Sequence, residues 1–288
     1  MTSLFRATLL QVGYGDDESL ADRVDRVCAW IGSLPDTDLV ILPELWAHGG
    51  FASGTWAAQA ESIDGTTIQR LSRVASQKGI WLHGGSIIER AAADEDQGPD
   101  GRGLWNTSVL LDPAGAVQLT YRKIHRFGFG EGEPRLLEAG QEIAATDAVL
   151  RSRHTRLGLA TCYDLRFPEL FRQLTEASAE VLLVPAAWPL PRVEHWRLLG
   201  RARAVENQAW VLQCNTAGTH SGTTMGGHSQ VIDPTGEVVA ELGVDEGSLT
   251  VDLDLDLVAQ TRHGFPVLAD RRIRIGGGPS FTPETNAG

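Results

Sequence analysis

Three side chains with the chemistry for acyl transfer each follow a segment that the sequence predicts to be a strand. Cys162 follows the apolar run 157–160, Glu44 follows 38–43, and Lys123 follows 117–122. Groups at strand ends can meet in a cleft at the mouth of a sheet. A thiol nucleophile, a carboxylate base and an ammonium that stabilises an oxyanion together suffice for acyl transfer. The pattern therefore indicates catalysis centred on Cys162.

Cys162 and Glu44 each have a structural explanation when taken alone, and chance could account for the type of residue at Lys123. Most free cysteines are small core residues, and Glu44 could point to water from a sheet edge. Lys123 and Lys78 are the only lysines in a chain that otherwise uses arginine. Lys78 precedes a glycine, as expected at a helix end, whereas Lys123 has no such explanation. A compact ammonium suits an oxyanion better than a planar guanidinium, so Lys123 favours the catalytic interpretation.

The loop after Lys123 contains Glu131, Glu133 and the glycine-rich stretch 128–132. These glycines do not match a phosphate-binding loop, because they follow no strand–helix turn and lack a final Lys-Ser or Lys-Thr pair. The acidic side chains would also repel a phosphate. We expect the glycines to permit tight backbone turns beside a cleft.

Two other hydrolase classes are less consistent with these residues. A serine hydrolase is disfavoured because the chain contains no Gly-X-Ser-X-Gly elbow. A papain-like peptidase is the stronger alternative, with His125 or His154 as the base for Cys162. However, the residues that flank Cys162 do not match that family. The eight histidines show no metal-ligand spacing, so we predict no metal site.

The composition of the 288 residues limits the classes of function. The formal net charge is −12, which argues against binding nucleic acid through its phosphates. No apolar run reaches the roughly 20 residues that span a membrane, and the N-terminus lacks the pattern of a signal peptide. Three widely spaced cysteines fit neither a disulfide framework nor a zinc site. We expect a cytoplasmic protein that binds neither nucleic acid nor membranes.

The hydrophobic periodicity predicts a layered α/β fold built from two similar halves. Apolar strands alternate with amphipathic helices, and each half closes with an Asp-Pro-X-Gly hairpin turn, at 112–115 and 233–236. Strands are predicted at 4–12, 38–44, 80–88, 105–111, 117–122, up to Cys162, and at 181–187, 209–215, 227–232 and 237–241. Helices are predicted from Ser19 as the cap to about 31, and at 66–78, 168–178 and 194–208. No linker divides the chain, so we expect one domain over 1–274 and a tail, 275–288, that is mobile or contacts a neighbouring subunit.

The order of these motifs closely resembles the nitrilase superfamily of carbon–nitrogen hydrolases. Pro-Glu44, Tyr-Arg-Lys123 and Cys162-Tyr-Asp stand in the order of that family's Glu–Lys–Cys series. Supporting segments extend the match over nearly the whole chain: Asn106, Pro-Ala-Ala-Trp188, 195–208, Asn215 and 227–236. The resemblance implies a four-layer α-β-β-α sandwich with internal pseudo-duplication. It also implies catalysis without a metal or an organic cofactor.

The resemblance assigns a role to each matching residue. It implies that Cys162 is the nucleophile and that Glu44 is the general base and acid. Lys123 and the backbone N–H of Tyr163 would stabilise the oxyanion. Glu133 resembles the family's second glutamate, which would orient Lys123 and the substrate.

Some assignments remain open within the resemblance. Glu131 competes with Glu133 for the role of the second glutamate. The segment 162–169, Cys-Tyr-Asp-Leu-Arg-Phe-Pro-Glu, resembles the branch of the ω-amidases and Nit-type amidases. That branch implies a thiol amidohydrolase for small carboxamides, including ω-amides of dicarboxylic acids such as 2-oxoglutaramate. N-carbamoyl amine hydrolysis is the closest alternative, and nitrile hydrolysis is disfavoured because true nitrilases carry Trp-Glu after the cysteine.

The substrate pocket and the assembly are less well defined by the sequence. A substrate carboxylate needs a cation, for which Arg166 is a candidate, although an internal ion pair explains this arginine equally well. Trp188 and Phe51 could line the acyl pocket or could be core aromatics. The family implies a homodimer or a higher homo-oligomer. A non-catalytic binding or assembly protein on the same fold is the alternative from another class, and the intact Glu–Lys–Cys series argues against it.

Overall fold

The computed structural model describes residues 4–92, 97–129 and 131–273. In this part of the chain two six-stranded sheets are flanked by helices, which confirms the predicted α-β-β-α sandwich. The expected tail, 275–288, lies outside the described residues. No helix within the described ranges combines the length and the apolar character needed to cross a membrane.

The first half of the chain supplies five strands of the first sheet, and the second half supplies the whole second sheet together with the sixth strand of the first. The first half contains β1 (Leu4–Gln11), α1 (Leu20–Ser33), β2 (Leu39–Ile41), α2 (Trp56–Gln59), α3 (Thr66–Lys78), β3 (Trp81–Arg90), β4 (Leu104–Leu111) and β5 (Val117–Arg122). The second half contains α4 (Glu133–Leu136), β6 (Ala144–Leu150), β7 (Arg153–Leu159), a 3₁₀ turn (Cys162–Arg166), α5 (Pro168–Glu176), β8 (Val181–Ala186), a second 3₁₀ turn (Leu190–Arg192), α6 (Val193–Asn207) and β9 (Trp210–Asn215). The chain continues with β10 (Thr219–His220), β11 (Thr223–Thr224), β12 (Gln230–Ile232), β13 (Val238–Glu241), β14 (Gly247–Asp254) and α7 (Asp256–Gly264).

The strand order is the same in both sheets. The first sheet runs β14-β1-β2-β3-β4-β5 and the second runs β6-β7-β8-β9-β12-β13. Each sheet has three adjacent parallel strands, an antiparallel hairpin on one side and one antiparallel strand on the other. The predicted internal duplication is therefore present in the topology.

The two predicted hairpin turns have matching hydrogen bonds. The Asp112 carboxylate accepts the N–H groups two and four residues further on, at 2.9 Å each. The Asp233 carboxylate does the same, at 2.8 and 3.0 Å. The final glycines, Gly115 and Gly236, have φ values of 83° and 87°, a conformation that costs glycine little.

Alternating side chains of the first sheet enter two different cores, as strand geometry requires. Leu9 and Ile41 pack with residues of the second sheet in the core that joins the two sheets. Leu10 and Val40 pack in a separate core together with residues of α1 and α3. The amphipathic α1 begins at the predicted cap, because the Ser19 side chain accepts the N–H of Asp22 at 3.2 Å.

Two strands end earlier than their apolar patterns predict. Pairing of β2 stops at Ile41 because β3 bulges after His83. At this bulge a Cβ on Gly85 would lie 1.9 Å from the Pro43 carbonyl oxygen, so only glycine admits the close approach. Glu44 therefore lies three residues beyond the strand rather than at its end.

Cys162 is likewise not the last residue of a strand. Strand β7 ends at Leu159, and Cys162 opens a 3₁₀ turn with φ of 47°. A positive φ is uncommon for a residue with a side chain and is found at functional sites. Because the strands are shorter than predicted, both Glu44 and Cys162 lie on connections beyond the sheets.

Candidate active site

Glu44 is a buried carboxylate held by three hydrogen bonds. Its Oε1 accepts from Lys123 Nζ at 2.7 Å and from Asn106 Nδ2 at 2.8 Å. Its Oε2 accepts the backbone N–H of Ala187, which follows β8, at 2.9 Å. Only 3% of Glu44 is exposed. The first sheet therefore supplies the carboxylate, and the second sheet helps to orient it.

Lys123 lies directly after β5 and is enclosed by two carboxylates. Its Nζ is 2.7 Å from Glu44 Oε1 and 2.9 Å from Glu133 Oε2. Burial would lower the pKa of Lys123, but the charges of Glu133 and Glu44 outweigh it and raise this pKa well above its usual value. The lysine is therefore an ammonium throughout the neutral range.

Glu133 completes the buried cluster. Its Oε2 also accepts the N–H of Phe127 at 2.5 Å, and its Oε1 accepts from Asn106 Nδ2 at 2.7 Å. Burial raises the pKa of Glu133, and the nearby Lys123 ammonium opposes that rise. Glu131, the competing glutamate, points outward with 77% of its side chain exposed and pairs with Arg135 at 2.9 Å.

The Cys162 thiol faces this cluster from the second sheet. Burial and then the charge of Glu44 raise the pKa of the thiol well above its usual value, and Lys123 opposes them. The resting group is therefore the neutral thiol, which needs a base to become a nucleophile. Tyr163 is the second residue of the 3₁₀ turn, so its N–H is among the donors that a helix start leaves without an intrahelical partner.

The two histidines proposed as bases for a papain-like peptidase do not pair with Cys162 in the structure. His125 Nδ1 lies 2.7 Å from Asp164 Oδ1, and the ring stacks on Phe167 at 3.7 Å. His154 lies exposed on β7. Since His125 is engaged by a carboxylate, the papain-like pairing with Cys162 has no support in this geometry.

A cleft opens above Cys162. One part, of about 420 Å³, is lined by charged residues of the cluster together with Phe51, Trp56 and Phe127. A smaller adjoining pocket contacts Phe51, Cys162 and Trp188. Phe51 and Trp188 both line the cleft, and only 3% of Trp188 is exposed.

Two arginines lie at the smaller pocket. The Arg166 guanidinium carbon is 4.8 Å from the centre of the Trp188 ring, and Arg166 Nη2 donates to His195 Nδ1 at 3.3 Å. Arg192 lies 5.4 Å from the centre of the Phe127 ring. Within the described part of the chain neither guanidinium makes an ion pair, so the internal ion pair considered for Arg166 is not found.

Several residues of the site were not assigned by the sequence. Asn106 was recognised only as part of a motif, yet its amide bridges Glu44 and Glu133. The polar run Asn106-Thr107-Ser108 within a strand that is otherwise apolar was a usable signal. Arg192 had no comparable signal in the sequence, because it lies in a short turn before α6.

The chain is similar to known proteins over most of its length. The model of the carbon–nitrogen hydrolase family matches residues 6–263. The 2-oxoglutaramate amidase of Paenarthrobacter nicotinovorans is 42% identical over 268 residues, covering 92% of this chain and 89% of that protein. The omega-amidase NIT2 of Homo sapiens is 34% identical over 282 residues, covering 94% and 96%. A solved CN-hydrolase superfamily protein from Xanthomonas campestris, with an arsenic adduct in its active site, has a TM-score of 0.83 at 29% identity, covering 95% and 99%.

Proposed function

Because this chain belongs to the carbon–nitrogen hydrolase family and is a thiol amide hydrolase, we propose that it hydrolyses ω-amides of short dicarboxylic acids to the dicarboxylate and ammonia. One observation carries the proposal: Cys162 shares a pocket with Arg166 and Arg192, two cations without an ion-pair partner in the described part of the chain. A reactive thiol beside two such cations suits an amide that carries a distal carboxylate, such as 2-oxoglutaramate.

The first step forms a bond between the thiol sulfur and the amide carbon. Glu44 accepts the proton of Cys162 as Sγ attacks the carbonyl carbon, since the neutral thiol is a weak nucleophile. The electron pair of the C=O bond moves to oxygen. The Lys123 ammonium and the Tyr163 N–H stabilise this oxyanion, and each donor of this kind is worth about 10²–10³ in rate.

The second step breaks the carbon–nitrogen bond. The oxyanion re-forms the carbonyl, and the proton held by Glu44 passes to the departing nitrogen, which leaves as ammonia. A thioester to Cys162 remains. Glu44, again a carboxylate, takes a proton from water as that water attacks the thioester, and the thiol then leaves with that proton. The net reaction consumes one water and returns Glu44 and Cys162 to their starting states.

Glu133 and Asn106 support these steps without contacting the reacting bond. Glu133 holds the ammonium of Lys123 and offsets its charge, so that Lys123 stays fixed between two carboxylates. The Asn106 amide donates one N–H to each glutamate. The N–H bond from Asn106 favours the ionised form of Glu133 and so opposes the effect of burial on its pKa.

The substrate carboxylate binds Arg166 and Arg192, and the apolar part of the substrate lies against Phe51 and Trp188. Charged hydrogen bonds of this type contribute about 1.5–3 kcal/mol each. Replacing either arginine with glutamine should therefore lower kcat/KM for 2-oxoglutaramate roughly 10- to 150-fold. The neutral amide butyramide, which lacks the carboxylate, should be hydrolysed with nearly unchanged kcat/KM.

Steady-state ammonia release from both amides measures this difference, and wild-type protein should prefer 2-oxoglutaramate. Equal losses on both amides in Arg166→Gln and Arg192→Gln would assign the arginines to folding rather than to substrate selection. An N-carbamoyl amino acid and butyronitrile complete the panel. A higher kcat/KM for either of them than for 2-oxoglutaramate would favour the corresponding alternative activity.

We also propose that the protein is a homo-oligomer and, because its three cysteines are free thiols, that it works in the cytoplasm. Helix α6 leaves Leu198 and Val205 64% and 51% exposed, two turns apart on one side. Apolar side chains at this spacing suit contact with a second copy of the chain.

Multi-angle light scattering tests the assembly. The wild-type mass should be a multiple of 31.1 kDa, and Leu198→Glu with Val205→Glu should shift it toward the monomer. Val149→Glu, on β6 and 52% exposed in the wild type, is the matched control and should leave the mass unchanged. A wild-type monomer at micromolar concentration would refute the assembly proposal.

A further inference from the structure

Asp164 is a fully buried carboxylate that the reaction steps do not use. None of it is exposed, and it lies two residues after Cys162. Its carboxylate accepts four hydrogen bonds, and none of these comes from lysine or arginine. A buried carboxylate destabilises a fold unless hydrogen bonds replace those it made to water. The four hydrogen bonds to Asp164 supply this replacement.

One pair of these bonds fixes the turn that carries the thiol. Asp164 Oδ2 accepts the N–H of Thr161 at 2.9 Å, and the two residues form a reciprocal capping box at the start of the 3₁₀ turn. The positive φ of Cys162 lies inside this box. The Asp164 carboxylate therefore fixes the backbone conformation around Cys162, from Thr161 to Asp164.

The other bonds reach the segment that carries Lys123. Tyr121 donates its hydroxyl to Asp164 Oδ2 at 2.7 Å. His125 donates its backbone N–H at 3.0 Å and its ring Nδ1 at 2.7 Å to Oδ1. The Tyr121 hydroxyl in turn accepts the N–H of Ile124 at 3.3 Å. Asp164 thus accepts hydrogen bonds from Tyr121 and His125, which lie two residues before and two residues after Lys123.

These two segments belong to different sheets. Tyr121 is on β5 of the first sheet, and the turn with Asp164 follows β7 of the second. We infer that Asp164 is a positioning residue that fixes the Lys123 ammonium relative to the Cys162 sulfur across the interface between the sheets. The inference rests on the proposed roles of Cys162 and Lys123.

Asp164→Asn keeps the size of the side chain but cannot accept all four bonds, because its amide nitrogen is a donor. A small misplacement of reacting groups costs on the order of 10² in rate. We expect kcat per active site to fall about 10²-fold, with KM for 2-oxoglutaramate changed by less than about threefold. The active sites are counted by mass spectrometry, as the fraction of chains in which iodoacetamide alkylates Cys162 and leaves the buried Cys214 unmodified, because an unfolded chain exposes both thiols.

Asp233→Asn is the matched control. Asp233 also accepts several local hydrogen bonds in a turn, from Thr235 and Glu237, but it lies in the hairpin after β12. This variant should lose stability without losing kcat per active site. If Asp164→Asn does not fold, Tyr121→Phe removes one of the four bonds and retains the ring, and a smaller fall in kcat per active site is expected.

Two results separate the possibilities. A fall in kcat per active site in the Asp164 or Tyr121 variant, absent in Asp233→Asn, supports the inference. A reduced folded fraction with kcat per active site within about twofold of wild type in both variants would overturn it and leave Asp164 a purely structural residue. Failure of the proposed function has a different signature, since wild-type protein would then not release ammonia from 2-oxoglutaramate.

Discussion

Cys162→Ala should lower kcat for ammonia release by a factor on the order of 10⁴ or more, as loss of a covalent nucleophile does in other hydrolases. The variant cannot form the thioester, and neither Glu44 nor Lys123 can replace the sulfur. Binding of 2-oxoglutaramate, measured by titration calorimetry, should persist because the arginines and the aromatic walls remain.

The other two thiols serve as comparisons for this variant. Burial raises the pKa of Cys28 to about 11, and the buried Cys214 donates to the Leu10 carbonyl at 3.2 Å. Cys28→Ala should retain wild-type kcat, because Cys28 lies on α1 in the core that α1 shares with α3. Iodoacetamide should label Cys162 first, because the Glu44 carboxylate lies beside this thiol and can take its proton. Undiminished turnover in Cys162→Ala would exclude the thioester mechanism.

Lys123→Met should be nearly inactive, with kcat lowered about 10³-fold or more, because an oxyanion donor is lost and two glutamates are left without their cation. Removing one partner of a buried ion pair also destabilises a fold by about 3–5 kcal/mol. Both effects are measurable on one preparation, by steady-state kinetics and by chemical denaturation at neutral pH.

The stability of this variant should depend on pH in a defined direction. Burial raises the pKa of Glu133, and without Lys123 only the N–H bonds from Phe127 and Asn106 oppose the rise. A carboxyl whose pKa is higher in the folded state binds its proton more readily there, so stability increases as pH falls toward 4.5 and decreases as pH rises through the folded-state pKa. The wild-type ammonium behaves differently: its raised pKa gives stability that is present below 10.5 and is lost only as pH rises through the folded-state value.

Lys78→Met is the matched control for the loss of a lysine. Lys78 Nζ donates to the Leu34 carbonyl at 2.8 Å, at the end of α3, far from any acidic pair of the site. This variant should keep wild-type kcat and show no comparable gain in stability at low pH. A Lys123→Met protein with more than a tenth of wild-type kcat would contradict the oxyanion role.

Local patterns explain why much of the fold was predictable. Alternating and helical apolar spacing identified most strands and helices, and the two Asp-Pro-X-Gly turns revealed the duplication, because these preferences act over a few residues. The strand limits before Glu44 and Cys162 were wrong for a related reason. The apolar pattern continues past Ile41 and Leu159, whereas the hydrogen-bonded pairing stops at these residues.

The sequence by itself predicted the chemistry of the site: a thiol, a carboxylate and an ammonium, each after a predicted strand and in the order of a known family. Only the tertiary structure decided between Glu131 and Glu133, since both lie in one short loop and just one turns inward to Lys123. The tertiary structure also placed Arg192 at the cleft and connected Asp164 by hydrogen bonds to the segments that carry Cys162 and Lys123. Glu44 and Lys123 are 79 residues apart, so their contact depends on how the strands of the first sheet pair. Cys162 reaches them only because the second sheet packs on the first, and no local pattern encodes either arrangement.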